Sequence, residues 1–195
     1  MLNLPNDYDT ARAYAGFDAL PPGGHICRIV AARAAVSRSG NDMLEVAFDI
    51  AEGSTHDGRF KERFDSLRKN RPDAKWPNGG MFRTGLTTRD GKTSGYFKGL
   101  ITAVEESNPN YNFKATGCNE NSLKDKLVGF NFGEEEYKDS NGNIRTSVKA
   151  AYAVSVQTVK NGIEPPPKKV YKPSQSEVMA SQGFTEVEDD PALPF

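Results

Sequence analysis

The chain has 195 residues, of which 26% are charged and 36% hydrophobic, with a formal net charge of -1 and a mean hydropathy of -0.64. That length suits one ordinary domain of about 100–150 residues plus extra segments, and no apolar run approaches the ~18 residues of a membrane span. The start, Met1 to Asp7, carries neither the basic nor the apolar region of a secretory signal, so membrane and exported classes are not expected.

Residues 1–24 are polar and end in Pro21-Pro22-Gly23-Gly24, which reads as a loose arm and a turn. His25–Val36 is β-branched and alanine-rich and reads as a strand; Ser37–Asp42 is a turn by composition. Met43–Ala51 alternates, with Leu44, Val46, Phe48 and Ile50 on one side and Glu45 and Asp49 on the other, the period of a half-buried strand. Residues 52–80 are read mostly as loop, with a short strand or helix around Arg59–Arg68. Met81–Thr88 is a third strand. Thr93 or Ser94 caps a helix whose apolar face is Phe97, Leu100, Ile101 and Val104, stopped at Asn108-Pro109. A weak helical signal covers Asn121–Lys126. Leu127–Tyr137 and Ser147–Val159 are the last strands, joined by an Asp139–Asn143 turn in which Asn141-Gly142 suits positive φ.

The expected organisation is an arm at 1–24, a folded body at 25–160 and a disordered linker with an acidic tip at 161–195. Six of the twelve prolines lie in that last segment, and its composition buries too little surface to offset the entropy of ordering. The element order predicts a mainly β domain, an OB-fold: a five-stranded barrel with its helix between the third and fourth strands. Its nucleic-acid face would comprise strands two and three with the loops Ser37–Asp42 and Lys138–Asn143.

Charge is uneven. Residues 59–98 hold eleven basic and four acidic groups, a balance of +7, whereas residues 161–195 carry -3. Bases that track phosphates, interleaved with aromatic faces, suit single-stranded nucleic acid. The backbone candidates are Arg38 in the first loop and Arg59, Arg63, Arg68, Lys69, Arg71, Lys75, Arg83, Arg89 and Lys92. The stacking candidates are Phe60, Phe64, Trp76 and Phe82, each of which could equally serve the core. Cys27 and Cys118 are too few for a disulfide framework and point to a reducing, cytoplasmic setting. With His25 and His56 they form no compact zinc pattern.

The closing residues, Asp189-Asp190-Pro191-Ala192-Leu193-Pro194-Phe195 after Glu186 and Glu188, resemble the acidic C-terminal tip of bacterial and phage single-stranded DNA-binding proteins. The body also resembles the phage-type branch, through Pro21–Gly24, Ser39-Gly40 with Met43-Leu44, Gly58-Arg59, Phe97–Ile101 running to Pro109, and Leu127-Val-Gly to Gly133–Tyr137. The resemblance implies a protein that coats single-stranded DNA during replication, recombination and repair. It also implies recruitment of other proteins through Glu186, Glu188, Asp189, Asp190, Leu193, Pro194 and Phe195.

Three rivals stand beside it. Glu134, Glu135 and Glu136 with Asp49 or Glu52 could hold a nuclease metal, but consecutive carboxylates on a strand alternate faces. An OB-fold adaptor that binds only proteins would leave the basic segment unexplained. An RNA-binding OB-fold differs only in 2′-hydroxyl contacts. The expectation is a binding protein, not an enzyme, with no cofactor, no metal and no membrane partner. The sequence leaves open whether it forms a homo-oligomer.

Overall fold

The structure is a computed structural model and describes Asn6, Tyr8 and residues 20–51 and 54–173. Most of the expected arm, Glu52, and the whole acidic tip from Glu186 to Phe195 lie outside the described residues. The elements are β1 (Gly23–Val36), β2 (Asp42–Ile50), α1 (Arg59–Asn70), β3 (Met81–Gly85), α2 (Gly95–Ser107), β4 (Leu127–Lys138), β5 (Ile144–Val154) and α3 (Val156–Lys160). The strands form one antiparallel sheet in the order β3-β2-β1-β4-β5.

That order corrects the expected fold class. β3 and β5 are the two edges and are not hydrogen-bonded to each other, so the sheet is open and there is no OB-fold barrel. β3 stops at Gly85, because the loop after it folds back on itself through a Thr87–Thr93 bridge. Element order alone is the same for an open and a closed sheet, so the sequence pattern could not register this difference.

Alternation in β2 directs Leu44, Val46, Phe48 and Ile50 into the core as expected, where they meet Ile29, Phe130 and Phe132. Burying each such side chain contributes roughly 1.5–3 kcal/mol. α2 covers this face with Leu100, Ile101, Ala103 and Val104, and the Ser94 side chain accepts the Phe97 N–H at its start. At its end Asn108 donates to the carbonyls of Val104 (2.7 Å) and Leu127 (2.8 Å) and accepts from the Leu127 N–H (3.0 Å), tying the helix to β4. The 139–143 turn differs in detail from the Asn-Gly form. Of its residues only Gly142 has positive φ (85°), and Gly142 and Asp139 donate to the carbonyls of Asp139 and Asn143. This is a three-residue hairpin with a glycine bulge.

The last strand ends earlier than its apolar pattern suggests. Ser155 caps α3 by accepting from the Thr158 N–H, the Val156 N–H donates to Ser107 at the end of α2 (2.9 Å), and the chain then runs over the face of β4 that carries Gly129, Asn131 and Gly133. Gly24, Gly129 and Gly133 form the landing: a Cβ added there would lie 2.6 Å from Ile163, 2.5 Å from Val159 and 2.7 Å from Pro166, respectively. The buried Asn131 side chain donates to the Glu164 carbonyl (2.9 Å). Lys169 then exchanges backbone hydrogen bonds with Glu134 (2.9 Å) and Glu136 (2.8 Å). Residues 162–171, read from composition as linker, are thus a strap laid on β4.

Candidate nucleic-acid interface

The basic segment is organised chiefly by α1, where the sequence suggested mostly loop. The helix begins at Gly58, a left-handed residue with no side chain to cap the free N–H groups. Asp49 of β2 supplies the cap from a distance. Its carboxylate, 8% exposed, accepts from the backbone N–H groups of Phe60 (2.8 Å), Lys61 (2.9 Å) and Ile50 (2.9 Å). A negative group at a helix N-terminus also complements the macrodipole. Asp49, weighed above as a metal ligand, is thus engaged as a helix cap. Glu135 and Glu136 pair with Lys149 and Lys168, and among the described residues no group of three His, Cys, Asp or Glu side chains is gathered for a metal.

Phe60 anchors the helix in the core, edge-to-face on Phe48 at 5.7 Å. Phe82 packs on Phe130 at 5.1 Å. These two stacking candidates are therefore core side chains, 6% and 5% exposed. Phe64, one turn after Phe60, lies half-buried against Trp76 at 5.2 Å, and the Arg68 guanidinium sits over its ring at 5.5 Å. The Trp76 indole N–H donates to the carbonyls of Gly80 (3.1 Å) and Phe48 (3.3 Å), so the ring is held in one orientation. Gly80 is required for this fit, since a Cβ there would approach Trp76 Nε1 to 2.6 Å and the Phe48 carbonyl to 2.8 Å.

Of the basic candidates Arg68 reaches this pair; Arg59, Arg63 and Lys69 lie on the same helix, and Arg71 and Lys75 on the segment between it and Trp76. No described carboxylate pairs with any of the six; the ion pair within α1 is Lys61 with Asp65. Arg83 is placed differently. It forms a cross-strand row with Glu45 and Arg33 on the sheet face opposite α2, bonded to Glu45 at 2.9 Å, and reaches Asn78 at 3.4 Å. Hydrogen bonds from Arg83 and then Arg33 hold the Glu45 carboxyl below its ordinary value. Arg38 lies exposed on the β1–β2 turn, and Arg89 and Lys92 lie exposed between β3 and α2. The structure thus places six of the basic candidates on α1 and the segment from it to Trp76, with Arg68 against Phe64, and leaves the others on separate elements.

Sequence reasoning left Arg33, Lys149, Lys169 and the exposed Tyr96 out of the candidate site. Arg33 and Lys149 were readable from strand alternation; Lys169 was masked by its proline-rich setting. Among the described residues no helix is long and apolar enough to cross a membrane. Neither a scan of protein-family models nor a search of curated proteins finds a match to this chain. With the sheet open as well, the resemblance to phage-type single-stranded DNA-binding proteins is not upheld, and the OB-fold assignment falls with it.

Proposed function

We propose that this chain binds single-stranded nucleic acid, DNA in the first instance, with little sequence preference and no catalytic step. The supporting observation is the group of six cations without described carboxylate partners, carried by α1 and the segment from it to Trp76, the same stretch that holds the Phe64–Trp76 pair. Unpaired cations can exchange condensed counterions for phosphates, and an aromatic shelf beside them offers a face to bases of any identity. The two free cysteines fit a cytoplasmic setting. The acidic stretch Glu186–Asp190 with Leu193, Pro194 and Phe195 is assigned to recruiting replication or recombination proteins. Deleting 186–195 should abolish their capture and leave nucleic-acid affinity unchanged.

Fluorescence anisotropy with oligo-dT, duplex DNA and RNA of equal length tests the binding. Affinity for oligo-dT should exceed that for duplex, and log K should fall with log salt by about 0.7 per phosphate neutralised. Converting Arg63, Arg68 and Lys69 to glutamate should weaken binding at least about tenfold and flatten that slope by about 2. Equal affinity for duplex, or a flat salt response, refutes the reading. Equal affinity for RNA refutes only the preference for DNA.

A further inference from the structure

We propose that the cleft between β3 and β5 receives an extended, acidic peptide segment of a partner protein, which pairs with both free sheet edges and completes the sheet. This goes beyond the nucleic-acid reading and does not depend on it.

The hydrogen-bond phase of each edge is fixed by its neighbours. Leu86 donates to the Asp42 carbonyl, so Phe82 and Thr84 pair towards β2 while Arg83 and Gly85 turn their backbone groups to the free edge. Asp139 donates to the Asn143 carbonyl, so Lys149 pairs towards β4 while Val148 and Ala150 turn outward from β5. The bonds of Glu134 and Glu136 to the strap on the opposite edge of β4 confirm this phase. Two edges therefore present donors and acceptors at every second residue, a repeat of about 6.8 Å that another strand matches.

Between them lies a cleft of about 650 Å³, within the roughly 300–1,000 Å³ span of ligand pockets. Its walls at Gly85, Ala150 and Ala151 are small and leave the backbone open to approach. Its ionisable lining groups other than Tyr96 are Arg83, Lys149 and Lys169, with no carboxylate among the lining residues. Exposed edges are usually blunted or covered. Here the strap covers the spare edge of β4, while among the described residues the outward N–H groups of Arg83, Gly85, Val148 and Ala150 bond to no other segment and the Gly85 carbonyl accepts only the Thr84 hydroxyl (3.1 Å). Strand addition is a recurrent mode of peptide recognition. Arg83 shares the one carboxylate of Glu45 with Arg33, and Lys149 pairs with Glu135, so Lys169 and the surplus positive charge of the Arg33–Glu45–Arg83 row select acidic side chains.

The probe is a ten-residue peptide of alternating glutamate and valine, titrated into the full chain. Binding should protect the Arg83, Gly85, Val148 and Ala150 amides from hydrogen exchange. The same peptide with alternate amides N-methylated should bind at least about tenfold more weakly, since the lost bonds are backbone bonds. Lys149→Glu with Lys169→Glu should weaken binding by a similar factor, and Ala150→Pro, which removes one edge donor without touching the β4 ladder, should do the same. The N-methylated peptide keeps the test valid if a protein variant fails to fold. No binding by the unmodified peptide, equal binding by its N-methylated form, or protection of these amides by oligo-dT in its place overturns the proposal.

Discussion

Replacing Asp49 with alanine should release the first turn of α1, because three backbone N–H groups lose one acceptor. Hydrogen bonds to a charged group contribute about 1.5–3 kcal/mol, and a destabilisation of about 2–4 kcal/mol is expected in urea unfolding. The same carboxylate has a second effect. Burial, with the Asp49 charge adding to it, pushes the Cys27 thiol up, so it has little thiolate to react. Cys118 is exposed. Mass spectrometry after brief treatment of the native protein with iodoacetamide should find Cys118 modified and Cys27 intact. At the β4–β5 turn, Arg145 first, then the Asn143 and Asn141 N–H groups, hold the Asp139 carboxyl down at about 2, against an ordinary 3.8. Its folded value is the lower one, so its contribution is complete above the ordinary value and is lost as pH falls through about 2. The Gly142 amide resonance should titrate with that midpoint, and Asp139→Asn should remove the transition.

At the scale of elements, α1 carries Arg59, Arg63, Arg68 and Lys69 without a described carboxylate partner, and Phe60 is its one buried residue. If bases stack on its shelf, Phe64→Ala should cost about 1–3 kcal/mol of single-strand affinity while the melting temperature falls only slightly. Unchanged affinity would limit the shelf to a packing role. Much of this level was legible in advance. β1, β2, β4 and α2 followed their apolar periods, and Ser94 announced the cap of α2. α1 was obscured because seven of its twelve residues are charged, which masks the spacing of Phe60, Phe64 and Leu67, and its cap stands nine positions before Gly58 on another element. β5 was drawn too long because Val156 and Val159 continue a strand-like rhythm that Ser155 interrupts with a helical cap. Of the site, the charge and the ring types were visible. Which rings are core was not, because Phe60 and Phe64 lie one turn apart on the same side of α1 and differ only in what faces them, Phe48 of the sheet for one and Trp76 of the following loop for the other.

At the scale of the whole molecule, closure of the sheet was beyond the sequence, since strand lengths and order do not state whether two edges meet. β1 lies at the centre and joins partners remote in sequence, as in the pairing of Cys27 with Val128. Such non-local pairing must offset a loop-closure cost before it stabilises anything. Stopped-flow refolding should therefore proceed on the order of milliseconds to seconds, and a microsecond phase carrying the full amplitude would contradict this topology. The glycine landing under the strap has a consequence for how this sequence can vary over evolution. The atoms nearest a Cβ at Gly24 are side-chain atoms of Ile163 and Val159, and those nearest one at Gly133 belong to the Pro166 ring, so a larger residue at either position is admissible when its counterpart shrinks. Gly129 faces the carbonyls of Val154 and Ser155 at 2.9 and 3.0 Å as well, and no trimming of Val159 makes room there. Homologues should thus show paired exchanges at 24 with 163 and at 133 with 166, and an unaccompanied glycine at 129.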